Sequence, residues 1–189
     1  GRGESKGARH GVDKKMKERI VSVKKTGKLT DAMRLVAAAK VRKAQDGVEK
    51  ARPFSMELQS MIKGLVKKLK GSGLEQELPM LRVPEKVTQV GILVVGSNKG
   101  LCGAYNSFVV KRALARTQEL NKEGIVPKII VVGKKARLGI FSKFTSAKAE
   151  YNYTEMYFDM PDTVTAKDSS AVADAIRNLF LAGEVDKVE

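Results

Sequence analysis

Residues 11–70, GVDKKMKERIVSVKKTGKLTDAMRLVAAAKVRKAQDGVEKARPFSMELQSMIKGLVKKLK, decide how the rest of the chain must be read. An apolar or small side chain recurs every three or four positions, at Met16, Ile20, Val23, Gly27, Thr30, Met33, Ala37, Val41, Ala44, Val48, Ala51, Ser55, Leu58, Ile62, Leu65 and Leu69. Fifteen steps carry the stripe from residue 16 to residue 69, a mean spacing of about 3.5, which is the repeat of a left-handed supercoil. Such a helix needs a partner along its length. The middle of the stripe is small (Gly27, Thr30, Ala37, Ala44, Ala51), so another backbone can come close while little apolar area is gained per turn. Asp13 is the expected N-cap. Pro53 predicts a bend, because it lacks a backbone donor and crowds the carbonyl four residues earlier, yet the stripe keeps its phase beyond it.

Charge is concentrated on the same stretch. Residues 1–70 carry 20 Lys and Arg against 7 Asp and Glu, net +13, and the remaining residues carry 16 against 14, net +2. A basic helix reads either as a ligand for nucleic acid, anionic lipid or an acidic protein collar, or as the solvated face of a long arm. Nucleic acid is disfavoured, since Phe54 is the one aromatic residue of the arm and base stacking needs aromatic platforms. No run of eighteen apolar residues is present to span a membrane.

Downstream, Gly71-Ser72-Gly73 ends the arm, and Leu74 to Pro84 reads as a linker. The period then changes. Val87 to Val95 is an apolar, β-branched run of the kind buried on both faces of a parallel sheet, and Lys128 to Val132 is a second. A helix is expected over residues 107–123 and another over 134–144, with a third strand within 151–160. Thr165 or Asp168 should cap a last helix, whose apolar face (Ala171, Val172, Ala175, Ile176, Leu179, Phe180) ends at Gly183. Residues 185–188 read as the start of a further strand, so the polypeptide is expected to continue or to be a shortened version. The predicted organisation is a flexible segment at 1–11, a helical arm at 12–70, a linker at 71–84 and an α/β domain at 85–189. The fold class is α/β, a long coiled-coil-type helix followed by a Rossmann-like domain with parallel strands.

Catalytic patterns fail. In the turn Gly96-Ser-Asn-Lys-Gly-Leu-Cys-Gly103, Leu101 stands where the phosphate-binding loop needs Ser or Thr, and the glycine spacing of four and three does not match the dinucleotide fingerprint. A structural strand-to-helix turn is the better reading. Cys102 has no histidine near it in sequence, the single His10 lying at the start, so it reads as a small buried hydrophobe. One Cys and one His make a zinc site implausible. Glu75, Glu77, Asp159 and Asp162 occur in turn-like contexts without the features of a site. No catalytic, cofactor or metal residue is assigned.

The run Ile20 to Gln45 closely resembles the N-terminal helix of the gamma subunit of F-type ATP synthases. The resemblance extends through Arg52-Pro53-Phe54, Gly100-Leu-Cys-Gly-Ala-Tyr-Asn106 and Val132-Gly-Lys-Lys135. Thr165-Ala-Lys167, Ala171-Val-Ala-Asp174 and Glu184 to Glu189 are similar to the plastid and cyanobacterial branch. It implies a non-catalytic rotor whose N-terminal helix pairs with a C-terminal one inside a hexamer of alpha and beta subunits, the α/β domain meeting the epsilon subunit and the membrane ring. The implied location is the stromal side of the chloroplast thylakoid membrane. By match to the family's contact region, Met33, Arg34, Lys40 and Arg42 are expected to touch the hexamer. The C-terminal helix and regulatory cysteine pair of that family fall beyond Glu189, and Cys102 does not take the pair's role. The rival reading is a shortened gamma-like scaffold in another thylakoid complex.

Overall fold

The computed structural model describes residues 5–74, 77–146, 153–161 and 163–189, with side chains of residues 5–10, 144 and 146 left aside. The chain divides into two compact units, residues 1–68 and 69–189.

The first unit is one helix, α1, Ser5–Leu69. Its 65 residues correspond to about 100 Å at a rise of ~1.5 Å per residue. It begins eight residues before Asp13, so that aspartate is inside the helix and is not its cap. No proline precedes Asp13, and the two glycines at 7 and 11 cost only about 1 kcal/mol each, so nothing local stops the helix earlier. The expectation of a flexible segment at 1–11 therefore meets helix from Ser5 onward. α1 also runs unbroken through Gly27 and Pro53. One lost donor is a small part of a ladder this long.

The second unit is a four-stranded parallel sheet, β1 Val90–Val95, β2 Lys128–Val132, β3 Thr154–Phe158 and β4 Lys187–Val188, in the order β3-β2-β1-β4. Ile92 pairs with Ile129 and Ile129 with Glu155, while Val90 and Gly91 pair with Lys187 and Val188. The strands alternate with α2 Tyr105–Lys122, α3 Lys134–Ser146 and α4 Ala166–Leu181. Because side chains alternate across a strand, β2 feeds two cores. Ile129 and Val131 join Val90, Ile92 and Val94 against Val110, Ala113 and Leu120 of α2 and Ala136 and Ile140 of α3. Ile130 points the other way, into a smaller cluster with Leu179 of α4 and Val185. Both faces are thus covered, which is why the strands read as continuous apolar runs.

Two boundaries have visible causes. β1 begins at Val90 rather than Val87 because the Asp186 carboxylate accepts from the backbone N–H of Thr88 (2.8 Å) and Gln89 (2.9 Å), which therefore leave the ladder. α4 is closed at its start by a capping box, in which Thr165 and Asp168 each bond the other's backbone N–H. Arg82, beyond a 3-10 turn at Pro79–Leu81, donates to the Phe180 carbonyl (3.2 Å) and lies over the Phe180 ring at 5.0 Å.

Candidate functional site

The seam of α1 is a surface, since every residue from Gly11 to Lys68 is exposed. Met16, Ile20, Met33, Val41, Ile62 and Leu65 each show about half their area, between 50% and 55%. An exposed apolar stripe of this length marks an interaction face. The four expected contact residues are all exposed, but they do not share one side of the helix. At about 100° per residue, Lys40 falls within about 20° of Met33, whereas Arg42 comes out about half a turn away. Arg34 is paired with Asp31 at 3.7 Å on the surface. Met33 therefore lies on the seam with Lys40 at its edge, and the two arginines carry charge around the arm.

The glycine-rich turn after β1 is occupied by its own side chains. Asn106 of α2 accepts from the Ser97 N–H (3.0 Å) and donates through Nδ2 to Ser97 Oγ (2.8 Å) and Cys102 Sγ (3.1 Å). The Ser97 carbonyl takes the Lys135 N–H at 2.9 Å, and Asn98 bridges the Lys134 N–H (2.9 Å) to the Met160 carbonyl. The loop thus fastens β1 to α3 and to the chain after β3. Cys102 is exposed, contrary to the buried small hydrophobe expected, because Leu101 sits at φ 58 and turns the tip of the loop outward, itself 97% exposed. Glu75 and Asp162 lie outside the described residues. Among the described residues no group of three or more His, Cys, Asp or Glu is placed to hold a metal ion. No helix of the described residues is long and apolar enough to cross a membrane.

Charge pairs gather where β4 meets α2. Glu189 accepts from Arg116 Nε (2.7 Å) and Nη2 (2.9 Å) and also meets Lys187. Arg116 first, and Lys187 second, hold the Glu189 carboxyl at about 2, below its ordinary 4.5. Backbone N–H donors of Thr88 and Gln89 likewise depress Asp186, and the Thr165 hydroxyl depresses Asp168. A depressed carboxylate adds stability that is complete above its ordinary value and is lost as pH falls toward its folded value. For Glu189 that window is pH 4.5 to about 2. After solvent screening the pair contributes about 1 kcal/mol at neutral pH. Urea melts of Glu189→Gln should show that deficit in full at pH 7 and a shrinking one as pH falls from 4.5 toward 2, through which the Glu189 carboxylate takes up its proton.

The chain thus combines a long basic helix that exposes a 3.5-residue seam with a small parallel α/β unit whose glycine turn is filled from within. The sequence model of the ATP synthase family matches residues 13–189. Similar proteins include the ATP synthase gamma chain of Cyanothece sp., 44% identical over 93% of this chain and 53% of the relative. The gamma chain of Synechococcus elongatus is 42% identical over the same shares, and the chloroplastic gamma chain of Phaeodactylum tricornutum 42% over 92% and 45%. The chain belongs to the ATP synthase gamma-chain family, of the cyanobacterial and plastid type. It spans about half the length of these relatives.

Proposed function

We propose that this chain forms the N-terminal arm and α/β domain of the central-stalk rotor of a proton-translocating ATP synthase. The observation that carries this reading is the 3.5-residue apolar seam left exposed along α1. A second helix laid on that seam completes a coiled coil, and the small residues at its middle let the two backbones approach closely. The arm then turns within the hexamer of alpha and beta subunits, where the catalytic sites belong to the hexamer and this subunit contributes none. Met33 on the seam and Lys40 at its edge meet the hexamer, and Arg34 and Arg42 present charge to it from other sides. The α/β unit meets the epsilon subunit and the membrane ring, which places the protein peripherally on the stromal side of the thylakoid membrane.

The test is Met33→Lys in the assembled synthase. An ammonium on the seam must be desolvated wherever the contact closes. ATP hydrolysis should persist while ATP-driven proton pumping per ATP falls about fivefold, equivalent to about 1 kcal/mol in the contact. An unchanged ratio of pumping to hydrolysis overturns the assignment of Met33. Recovery of the native subunit in a thylakoid complex devoid of alpha and beta subunits overturns the rotor reading and supports the scaffold.

A further inference from the structure

The chain that leads from α1 into the sheet reaches β1 through residues 79–89, and no side chain in that stretch is fully buried. Leu81, Pro84 and Val87 are half-buried and the others are exposed. Val87 alone among them packs against the larger core. Polar contacts therefore decide whether the stretch stays down. They converge on one receptor, the turn from the end of α4 to β4. Arg82 Nη2 donates to the Phe180 carbonyl at 3.2 Å and to the Val185 carbonyl at 3.4 Å, and stands 4.0 Å from Asp186 Oδ1. The other oxygen of Asp186 accepts from the Thr88 N–H, the Thr88 hydroxyl (3.0 Å) and the Gln89 N–H. The Asp186 N–H donates back to the Gln89 carbonyl at 2.8 Å.

The receptor suits a cation. The last carbonyls of a helix lack intrahelical donors and carry the negative end of its dipole, so a guanidinium there is favoured. α4 has no basic residue in its last turn, and Arg82 supplies one from the entry segment. The two halves of the contact differ in depth. The Asp186 side chain is 12% exposed and belongs to the body of the unit, whereas that of Arg82 is 42% exposed and can withdraw without opening the sheet. We propose that Arg82 and Asp186 form a releasable clasp, which holds residues 82–89 on the turn between α4 and β4 when closed and lengthens the tether to α1 when open. Opening breaks the hydrogen bonds to the turn and lifts Val87 from its partial contact, while the ladder between β1 and β2 stays intact. The fixed point then moves from Arg82 to Val90, eight residues later, which adds up to about 26–29 Å of reach. The inference stands on the α/β unit alone and does not depend on the rotor reading.

Amide hydrogen exchange on the full 189-residue chain reads the opening directly. If the segment lifts by itself, the Thr88 and Gln89 amides should exchange at least about tenfold faster than those of Val94 in β1 and Val131 in β2. Arg82→Gln should speed Thr88 and Gln89 about tenfold further, as loss of charge-assisted hydrogen bonds at a partly exposed site implies, and leave Val94 and Val131 unchanged. Arg177→Gln removes another cation of the same unit, one that α4 pairs with its own Asp174 at 3.1 Å, and should leave all four rates as they were. The tether is read separately by spin labels on the exposed Cys102, the one cysteine of the chain, and on a second thiol introduced in the arm by Ser60→Cys. The distribution of distances between them should broaden in Arg82→Gln. Thr88 and Gln89 exchanging no faster than Val94, or responding equally to both arginine variants, overturns the clasp. A distribution of unchanged width overturns its control of the tether.

Discussion

Gly133→Ala should lower the stability of the α/β unit by about 3–5 kcal/mol, much of the margin a domain of this size possesses. Two costs combine. Gly133 has φ +99, where a side chain carries a backbone penalty of about 1–3 kcal/mol. The added Cβ would also stand 2.6 Å from the Gly96 carbonyl oxygen and 2.8 Å from its carbon. Neither group can retreat cheaply. The Gly96 N–H donates to the Val132 carbonyl at 2.8 Å, and the space where Gly96 would carry its own Cβ is already taken by Ala136, 2.3 Å away. Forcing atoms into so close a contact adds about 1–3 kcal/mol. Gly124→Ala is the control, since Gly124 has φ +78 but open space around it, and it should cost about 1–3 kcal/mol from the backbone alone. Urea melts of the two variants separate strain from collision. Equal losses would mean that the crossing of the Gly96 and Gly133 loops has slack.

Ile130→Ala should cost about 3–4 kcal/mol, in the upper half of the range for such truncations. Ile130 has no exposed surface and is one of three buried residues, with Leu179 and Val185, that form the core beneath α4. The opposite cluster under α2 and α3 has ten. Among the described residues only two other fully buried side chains adjoin Ile130, the remaining neighbours (such as Leu93, Met156 and Ile176) being partly buried, whereas the larger core holds ten buried residues. The loss should be felt locally as well as globally. Amide hydrogen exchange in α4 should accelerate more than in α2, because the truncated side chain faces only the former. Equal acceleration in both helices would show that the two cores open as one.

The features legible in sequence were those written in consecutive residues. The seam survives into the structure because a period of 3.5 in a chain of good helix formers has one conformation that uses it. The runs Val87–Val95 and Lys128–Val132 announced buried parallel strands, and of Thr165 or Asp168 as cap the structure uses Thr165, with Asp168 reciprocating. What sequence missed depends on distant partners. β1 starts late because Asp186, some hundred positions on, takes two of its amides. Cys102 is exposed because Asn106 and Ser97 fill the interior of the turn and its tip is displaced outward.

The strand order sets a timetable for synthesis. β1, the first strand made, is central, and its first two residues pair with Lys187 and Val188 of the neighbouring edge strand, made nearly a hundred residues later. A ribosome adding about 5–20 residues per second takes about 5–20 s to travel from one to the other. During that interval β2 can zip onto one side of β1 while the other side offers unpaired amides and carbonyls, flanked by exposed Phe108 and Val95. The arm, already complete and apolar along one stripe, emerges earlier still. The nascent chain therefore carries two adhesive surfaces at once, and its rate of productive folding is governed by how soon that late strand arrives rather than by how fast any helix forms.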